Sequence, residues 1–86
     1  MARVRLRQPL KRLAGERAEH EVDAATVHEA LAGLEREHPG VRGWILDERG
    51  VLRRHINVYV NGERGEQDSP VGPRDRIDVL PAISGG

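Results

Sequence analysis

The chain opens with arginines that alternate with apolar residues. Residues 2–7 read ARVRLR, and a period of two is typical of a strand with one buried face. Residues 19–22, EHEV, predict a second short strand. Residues 9–15, PLKRLAG, lie between the two strands and form a break that ends in glycine. We therefore expect a hairpin whose loop is longer than a two-residue turn.

A helical pattern follows over residues 26–38, TVHEALAGLEREH. Its apolar residues recur at i, i+3, i+4 and i+7 and form one stripe. The stripe consists of Val27, Ala30, Leu31 and Leu34. Thr26 and Glu29 fit a capping box, in which the hydroxyl binds the third helical amide and the carboxylate reaches back to the cap amide. The Pro-Gly pair after residue 38 predicts the end of the helix.

The second half of the chain predicts two further strands. Residues 54–60, RHINVYV, alternate polar and apolar side chains and run into Asn61-Gly62, a strong turn signal. Residues 76–80, RIDVL, predict the last strand, with its two β-branched apolar residues facing inward. Pro81 is expected to end this strand because it has no amide hydrogen to donate to a sheet.

Two segments of the second half carry weaker patterns. Residues 63–72 are polar apart from Val71 and predict a loop over the surface. Residues 41–46, VRGWIL, fit either a short helical turn or an irregular packing segment. In both cases Trp44 and Ile45 are expected to close one end of the core. One helix packed on one mixed sheet is the natural way to bury these apolar faces.

Size and composition narrow the class of protein. Eighty-six residues make one domain. Fourteen basic and 14 acidic residues cancel, so no net charge draws the chain toward nucleic acid or a membrane. Cysteine is absent, which excludes disulfides, thiolate metal sites and a thiol nucleophile. No apolar run could span a bilayer and none resembling a signal peptide follows Met1, so a cytoplasmic location is expected.

The remaining polar residues offer little catalytic chemistry. The histidines are His20, His28, His38 and His55. They are not spaced like metal ligands on a helix, so we expect scattered surface histidines and no metal site. The arginines of residues 2–7 indicate a solvated strand face, with docking in an acidic partner groove as the alternative. Ser69 and Ser84 have no ordered histidine base, so the chain is not expected to be an enzyme.

The tail and three other motifs carry a resemblance. The motifs are LKRLAG, ATVHEALAGLEREHPGV, INVYVNGE and the terminal DRIDVLPAISGG. Together they resemble the ubiquitin-like sulfur carriers of the MoaD/ThiS/CysO family over nearly the whole chain. The resemblance implies an α+β, ubiquitin-like β-grasp fold with a mixed four- to five-stranded sheet packed on one main helix. The domain would cover residues 1–81, and a flexible C-terminal Gly-Gly tail would cover residues 82–86.

The resemblance also implies a role for the tail. In such carriers an ATP-dependent adenylyltransferase of the ThiF/MoeB type activates the terminal carboxylate, and a sulfur donor then converts it to a thiocarboxylate. The reactive carboxylate falls on Gly86 and the required spacer on Gly85. The activating partner uses the ATP, and this chain would bind no cofactor itself.

Partner enzymes follow from the same resemblance. The sulfur would pass to the large subunit of molybdopterin synthase or to a pyridoxal-phosphate cysteine synthase, where a metalloprotease then trims the tail. A related sulfur-containing metabolite is a third destination. Residues 63–72 are shorter than in the family, and only Asp75 matches the family's Gly-Asp turn, so the choice of partner stays open.

Two other functions stay open beside sulfur transfer. A ubiquitin-like modifier would be joined through Gly86 to target lysines, and a non-covalent binding module would carry an inert tail. Removal of Gly86 would abolish sulfur transfer and conjugation to lysines but would leave a non-covalent binding module active. Ubiquitin-like proteins also commonly dock activating enzymes through an apolar patch on the sheet, which here predicts a surface of Leu80, Tyr59 and Arg54. The alternative is that these are ordinary exposed residues.

Overall fold

The computed structural model describes residues 1–81, which form five strands, two α-helices and a 3-10 turn. In chain order these are β1 (Ala2–Leu6), α1 (Leu10–Leu13), β2 (Glu19–Val22), α2 (Val27–Glu37), the turn (Pro39–Val41), β3 (Ile56–Val60), β4 (Glu63–Gly65) and β5 (Arg76–Pro81). The predicted tail of residues 82–86 lies outside the described residues. The α+β class and the main helix are confirmed.

The five strands form one mixed sheet in the order β2-β1-β5-β3-β4. The central pair, β1 and β5, is parallel, with Val4 opposite Ile77 and Leu6 opposite Val79. All other neighbouring strands are antiparallel, including the predicted β1–β2 hairpin. The last strand of the described residues, β5, therefore lies in the middle of the sheet, with a neighbour on each side.

Helix α2 covers one face of this sheet. The predicted stripe of Val27, Ala30, Leu31 and Leu34 is completely buried. Val4, Ile77 and Val79 of the two central strands are also inaccessible and belong to the same apolar cluster. The apolar side chains that recur every 3.6 residues in the helix and every two residues in the strands thus pack together in a single core. The opposite face of the sheet carries the alternate, partly exposed side chains.

The predicted capping box is present with one difference. Thr26 Oγ1 accepts a hydrogen bond from the backbone amide of Glu29 at 3.2 Å, as expected. The Glu29 carboxylate reaches back to the amide of Ala25 at 2.9 Å, one residue before the predicted cap amide. The two bonds tie the entry loop to the first turn and fix where α2 begins.

Two elements were not predicted. The break at residues 9–15 contains the four-residue helix α1, whose Leu10 is buried. The predicted surface loop of residues 63–72 contains β4 and a largely buried Val71. Strand β4 exists because Asn61 and Gly62 adopt φ values of 53° and 87°, as a two-residue hairpin turn requires.

The ends of two other segments also differ from the prediction. Strand β3 begins at Ile56, because the Ile56 amide bonds to the Arg53 carbonyl at 3.0 Å and closes a turn over Arg54. Of the two residues expected to close the core, Ile45 is buried but Trp44 is 48% exposed. The Trp44 amide donates to Val41 at 3.0 Å, and the chain then turns Ile45 inward.

One of the histidines expected at the surface is buried. His20 is 3% exposed because it lies opposite Val4, on the inward face of β2. Its Nε2 lies 2.9 Å from the Arg17 carbonyl, and its ring meets His38 edge-on at 4.7 Å between centroids. Burial lowers the pKa of His20, against the opposing effect of the Arg17 carbonyl.

Candidate functional site

The described residues end on the central strand of the sheet. Pro81, the last residue of β5, lies opposite Ile56 of β3. Five residues follow it in the sequence, and an extended chain of that length spans at most about 17 Å. Gly85 and Gly86 lie outside the described residues, so their roles stay predictions. Any enzyme that acts on the Gly86 carboxylate has to approach the region around Pro81 within that distance.

A pair of hydrogen-bonded side chains fixes the start of β5. Asp75 accepts hydrogen bonds from the Asn61 side chain at 2.8 Å and from the Gly72 amide at 2.7 Å. The Asn61 carboxamide oxygen accepts from the Arg76 amide at 2.9 Å. The Gly72 amide, followed by Asn61, lowers the pKa of Asp75. These contacts join the β3–β4 turn to β5 and so set the register of the strand that carries the tail.

The structure brings together two of the three predicted docking residues. Leu80 lies opposite Asn57 and Tyr59 lies opposite Asp78, so Leu80 and Tyr59 are diagonal neighbours on the open face of the sheet. Both are half-buried. Arg54 is exposed but lies in the turn before β3, off the strand. A docking role for these residues remains a prediction.

Ion pairs occupy the part of this open face formed by β2, β1 and β5. Arg5 of β1 lies between two carboxylates, 3.8 Å from Glu19 and 3.7 Å from Asp78. Arg3 also approaches Glu19, at 3.7 Å, and Arg76 approaches Asp78 at 3.1 Å. The Arg3–Glu19 and Arg5–Glu19 pairs are exposed and contribute little to stability, whereas the Asp78 side chain is 20% exposed. They do show that the β1 arginines face solvent, as predicted, with their charge balanced by neighbouring acids.

A cleft opens beside the point where the tail begins. It has a volume of about 600 Å³ and lies between α1, the segment before β3 and the end of β5. Its lining residues are Arg7, Gln8, Pro9, Leu10, Trp44, His55, Ile56, Leu80 and Pro81. Among these, the sequence predicted a docking role for Leu80 and placed Arg7 on a solvated strand face or, alternatively, in an acidic partner groove. The feature of the sequence that could have indicated this cleft is Trp44, the single tryptophan of the chain. Its exposure is known only from the folded structure.

Other kinds of site find no support among the described residues. Residues 1–81 hold no group of three or more histidine or carboxylate side chains placed to bind a metal ion. His28 instead contacts Gln67, with 2.6 Å between its Nδ1 and the Gln67 Nε2. In the same part of the chain, every helix is too short or too polar to cross a membrane.

The sheet order, the main helix that covers one face and the central position of β5 define a small protein of the ubiquitin-like β-grasp class. The model of the ThiS family matches residues 4–86, which include the Gly-Gly tail. The chain therefore belongs to the ThiS family.

Individual relatives agree with this assignment. Small archaeal modifier protein 1 of Haloferax volcanii is 36% identical over 62 residues, which cover 72% of this chain and 71% of that protein. Sulfur carrier protein CysO of Mycobacterium tuberculosis is 30% identical over 67 residues, 71% of this chain and 72% of that protein. A chain of the Amycolatopsis orientalis BexX/CysO complex matches the fold with a TM-score of 0.88 and 32% identity, over 100% of both chains.

Proposed function

We propose that this protein carries sulfur as a thiocarboxylate on Gly86. The observation that supports this most is the family match, which continues through the tail to residue 86. The similarity to a sulfur carrier protein, CysO, points the same way. The folded domain then serves as a handle that presents the tail to partner enzymes.

The terminal carboxylate needs activation before it can accept sulfur. It is ionised at neutral pH and is a poor electrophile. In the proposed reaction its oxygen attacks the α-phosphorus of ATP, and pyrophosphate leaves. With hydrosulfide, HS−, as the donor, a C–S bond forms at the acyl carbon, the C–O bond to AMP breaks, and the one proton of the hydrosulfide passes to water. The net change on the chain is one oxygen replaced by sulfur.

The two glycines suit this chemistry. Neither has a Cβ, so the tail can enter a narrow channel and the acyl carbon is open to attack. The absence of cysteine means that the chain offers no thiol to compete for the activated acyl group. Catalysis would come from the ATP-dependent adenylyltransferase, so this chain acts as a carrier and not as an enzyme. A separate enzyme would accept the sulfur in the biosynthesis of molybdopterin, cysteine or a related metabolite.

Intact mass spectrometry tests the proposal. The full chain and a chain without Gly86 are each incubated with ATP, sulfide and an adenylyltransferase of the ThiF/MoeB type from the same genome. The full chain should gain the mass difference between sulfur and oxygen only when ATP is present. The shortened chain should gain nothing. Sulfur uptake by the shortened chain, or uptake without ATP, would refute the role of Gly86.

Conjugation to proteins is a second candidate function. The similarity to Small archaeal modifier protein 1 is the observation that favours it. The same adenylate would be attacked by a lysine amine, and an isopeptide bond would form as AMP leaves. Trypsin cuts after Arg76, so a conjugated lysine would retain residues 77–86, IDVLPAISGG, as a branch. Detection of this branch on other proteins would establish the modifier function, whereas its absence from extracts in which Gly86 gains sulfur would exclude it there.

A further inference from the structure

The cleft beside the tail has an apolar floor and an exposed aromatic wall. Leu10 and Ile56, at 1% and 4% exposure, belong to the core and form its base. Trp44 stands at its side with 48% of its surface open to solvent. A tryptophan left half-open over an apolar base is typical of an interface anchor site, because burial of its large surface gives much binding energy.

The charge around this cleft has one sign. Arg7 lies in its lining, and a second cleft that shares Trp44 and His55 adds Arg53. Neither cleft is lined by an aspartate or a glutamate. Within residues 1–81, Arg7 and Arg53 form no ion pair, whereas Arg5 on the open sheet face has two. A chain with zero net charge thus has a local excess of positive charge where the tail begins.

We propose that this cleft docks the adenylylating enzyme, through an apolar side chain of that enzyme flanked by aspartate or glutamate residues. The apolar side chain would enter beside Trp44, and the carboxylates would pair with Arg7 and Arg53. The inference rests on the proposed function and adds to it the chemistry of the partner surface. It differs from the patch of Leu80, Tyr59 and Arg54, which lies mainly on the open sheet face.

The length of the tail supports the adenylylating enzyme as the protein that binds this cleft. The Gly86 carboxylate can extend only about 17 Å beyond Pro81. The body of the enzyme must therefore cover the surface next to Pro81 while its active site holds the carboxylate. Leu80 and Pro81 line the cleft themselves, so an enzyme in that position contacts it.

Binding of the full chain to the adenylyltransferase, measured by calorimetry with variants of the cleft, tests the proposal. Trp44→Ala should weaken binding about 30-fold, the scale of an interface anchor. Arg7→Glu should weaken it about tenfold at low salt and less at high salt. Val51→Ala and Arg36→Glu are the matched controls and should bind like the wild type, because Val51 is an apolar residue of similar exposure and Arg36 an exposed arginine, both outside the cleft.

The outcomes separate the two proposals. If Trp44→Ala and Arg7→Glu bind like the wild type while Gly86 still gains sulfur, the docking inference fails and the carrier function stands. If the wild type neither binds nor reacts with any such enzyme, the carrier function itself fails. Light scattering that shows a dimer lost in Trp44→Ala would assign the cleft to a second copy. A shift in Trp44 emission on removal of residues 82–86 would assign it to the chain's own tail. Either result would overturn the inference.

Discussion

Replacement of Gly40 by alanine should destabilise the domain strongly, because α1 and the 3-10 turn touch at this position. A Cβ built on Gly40 would lie 2.5 Å from the backbone oxygen of Leu13, and real Cβ atoms essentially never come closer than 3.0 Å. The two backbone segments would have to separate by at least 0.5 Å, the difference between these values. Overpacking of this kind costs about 2 kcal/mol, which lowers the melting temperature of a small domain by roughly 10 °C.

Gly33→Ala provides the matched control. The new Cβ would meet only the far end of the Arg36 side chain at 3.6 Å, in the middle of α2. Alanine is favoured over glycine in a helix, so this variant should be more stable by about 0.5–1 kcal/mol. Thermal unfolding followed by circular dichroism compares the two. The reasoning is refuted if Gly40→Ala melts at or above the wild-type temperature, or if both variants shift in the same direction.

Three further predictions concern the helix cap, a buried histidine and the docking patch. Thr26→Ala should lower the free energy of unfolding by about 1 kcal/mol and Thr26→Ser by less, as chemical denaturation would measure. Burial lowers the pKa of His20 in the folded state. As the pH falls below about 7, this imidazole is therefore protonated in the unfolded chain before it is protonated in the folded one. The contribution of His20 to the free energy of unfolding is therefore lost at acid pH. The difference in that free energy between the wild type and His20→Gln should shrink as the pH falls. A difference that stays constant with pH would contradict this prediction. Leu80→Asp should abolish adenylation, measured by ATP–pyrophosphate exchange, without lowering the α-helical circular dichroism signal; full activity would remove Leu80 from the docking surface.

Periodicity predicted the elements whose side chains enter the common core. Residues 2–7, 19–22, 26–38 and 76–80 each place apolar residues at the spacing of a strand or a helix, and the structure confirms all four elements. Four of the eight predicted ends match the structure and the other four differ by one residue, because terminal hydrogen bonds decide where an element stops.

The elements that the pattern missed are too short to show a period. Helix α1 has four residues and β4 has three. The backbone of Asn61-Gly62 determines β4 more than the polar residues of the strand itself do. The exposure of Trp44 depends on how the turn after α2 meets α1 and β3, which no local pattern contains. The cleft beside the tail could therefore be found only in the folded structure.

The functional prediction depended on the resemblance of sequence motifs to a known family and not on hydrophobic periodicity. Two terminal glycines show that the carboxylate is unhindered, but many chemistries could use such a group. The resemblance of the motifs to known carriers selected sulfur transfer, and the family match supports that general role. The structure adds that its described residues end at Pro81 on the central strand, next to an apolar cleft.

The central claim is tested most directly by tandem mass spectrometry of the tryptic peptide 77–86 after reaction with ATP, sulfide and the adenylyltransferase. The only sulfur atom in the untreated chain belongs to Met1, so IDVLPAISGG contains none before the reaction. We predict one sulfur in place of one oxygen, located on the fragment that contains Gly86. A peptide that stays free of sulfur while its adenylate forms and turns over, or sulfur on any other residue, would contradict the account.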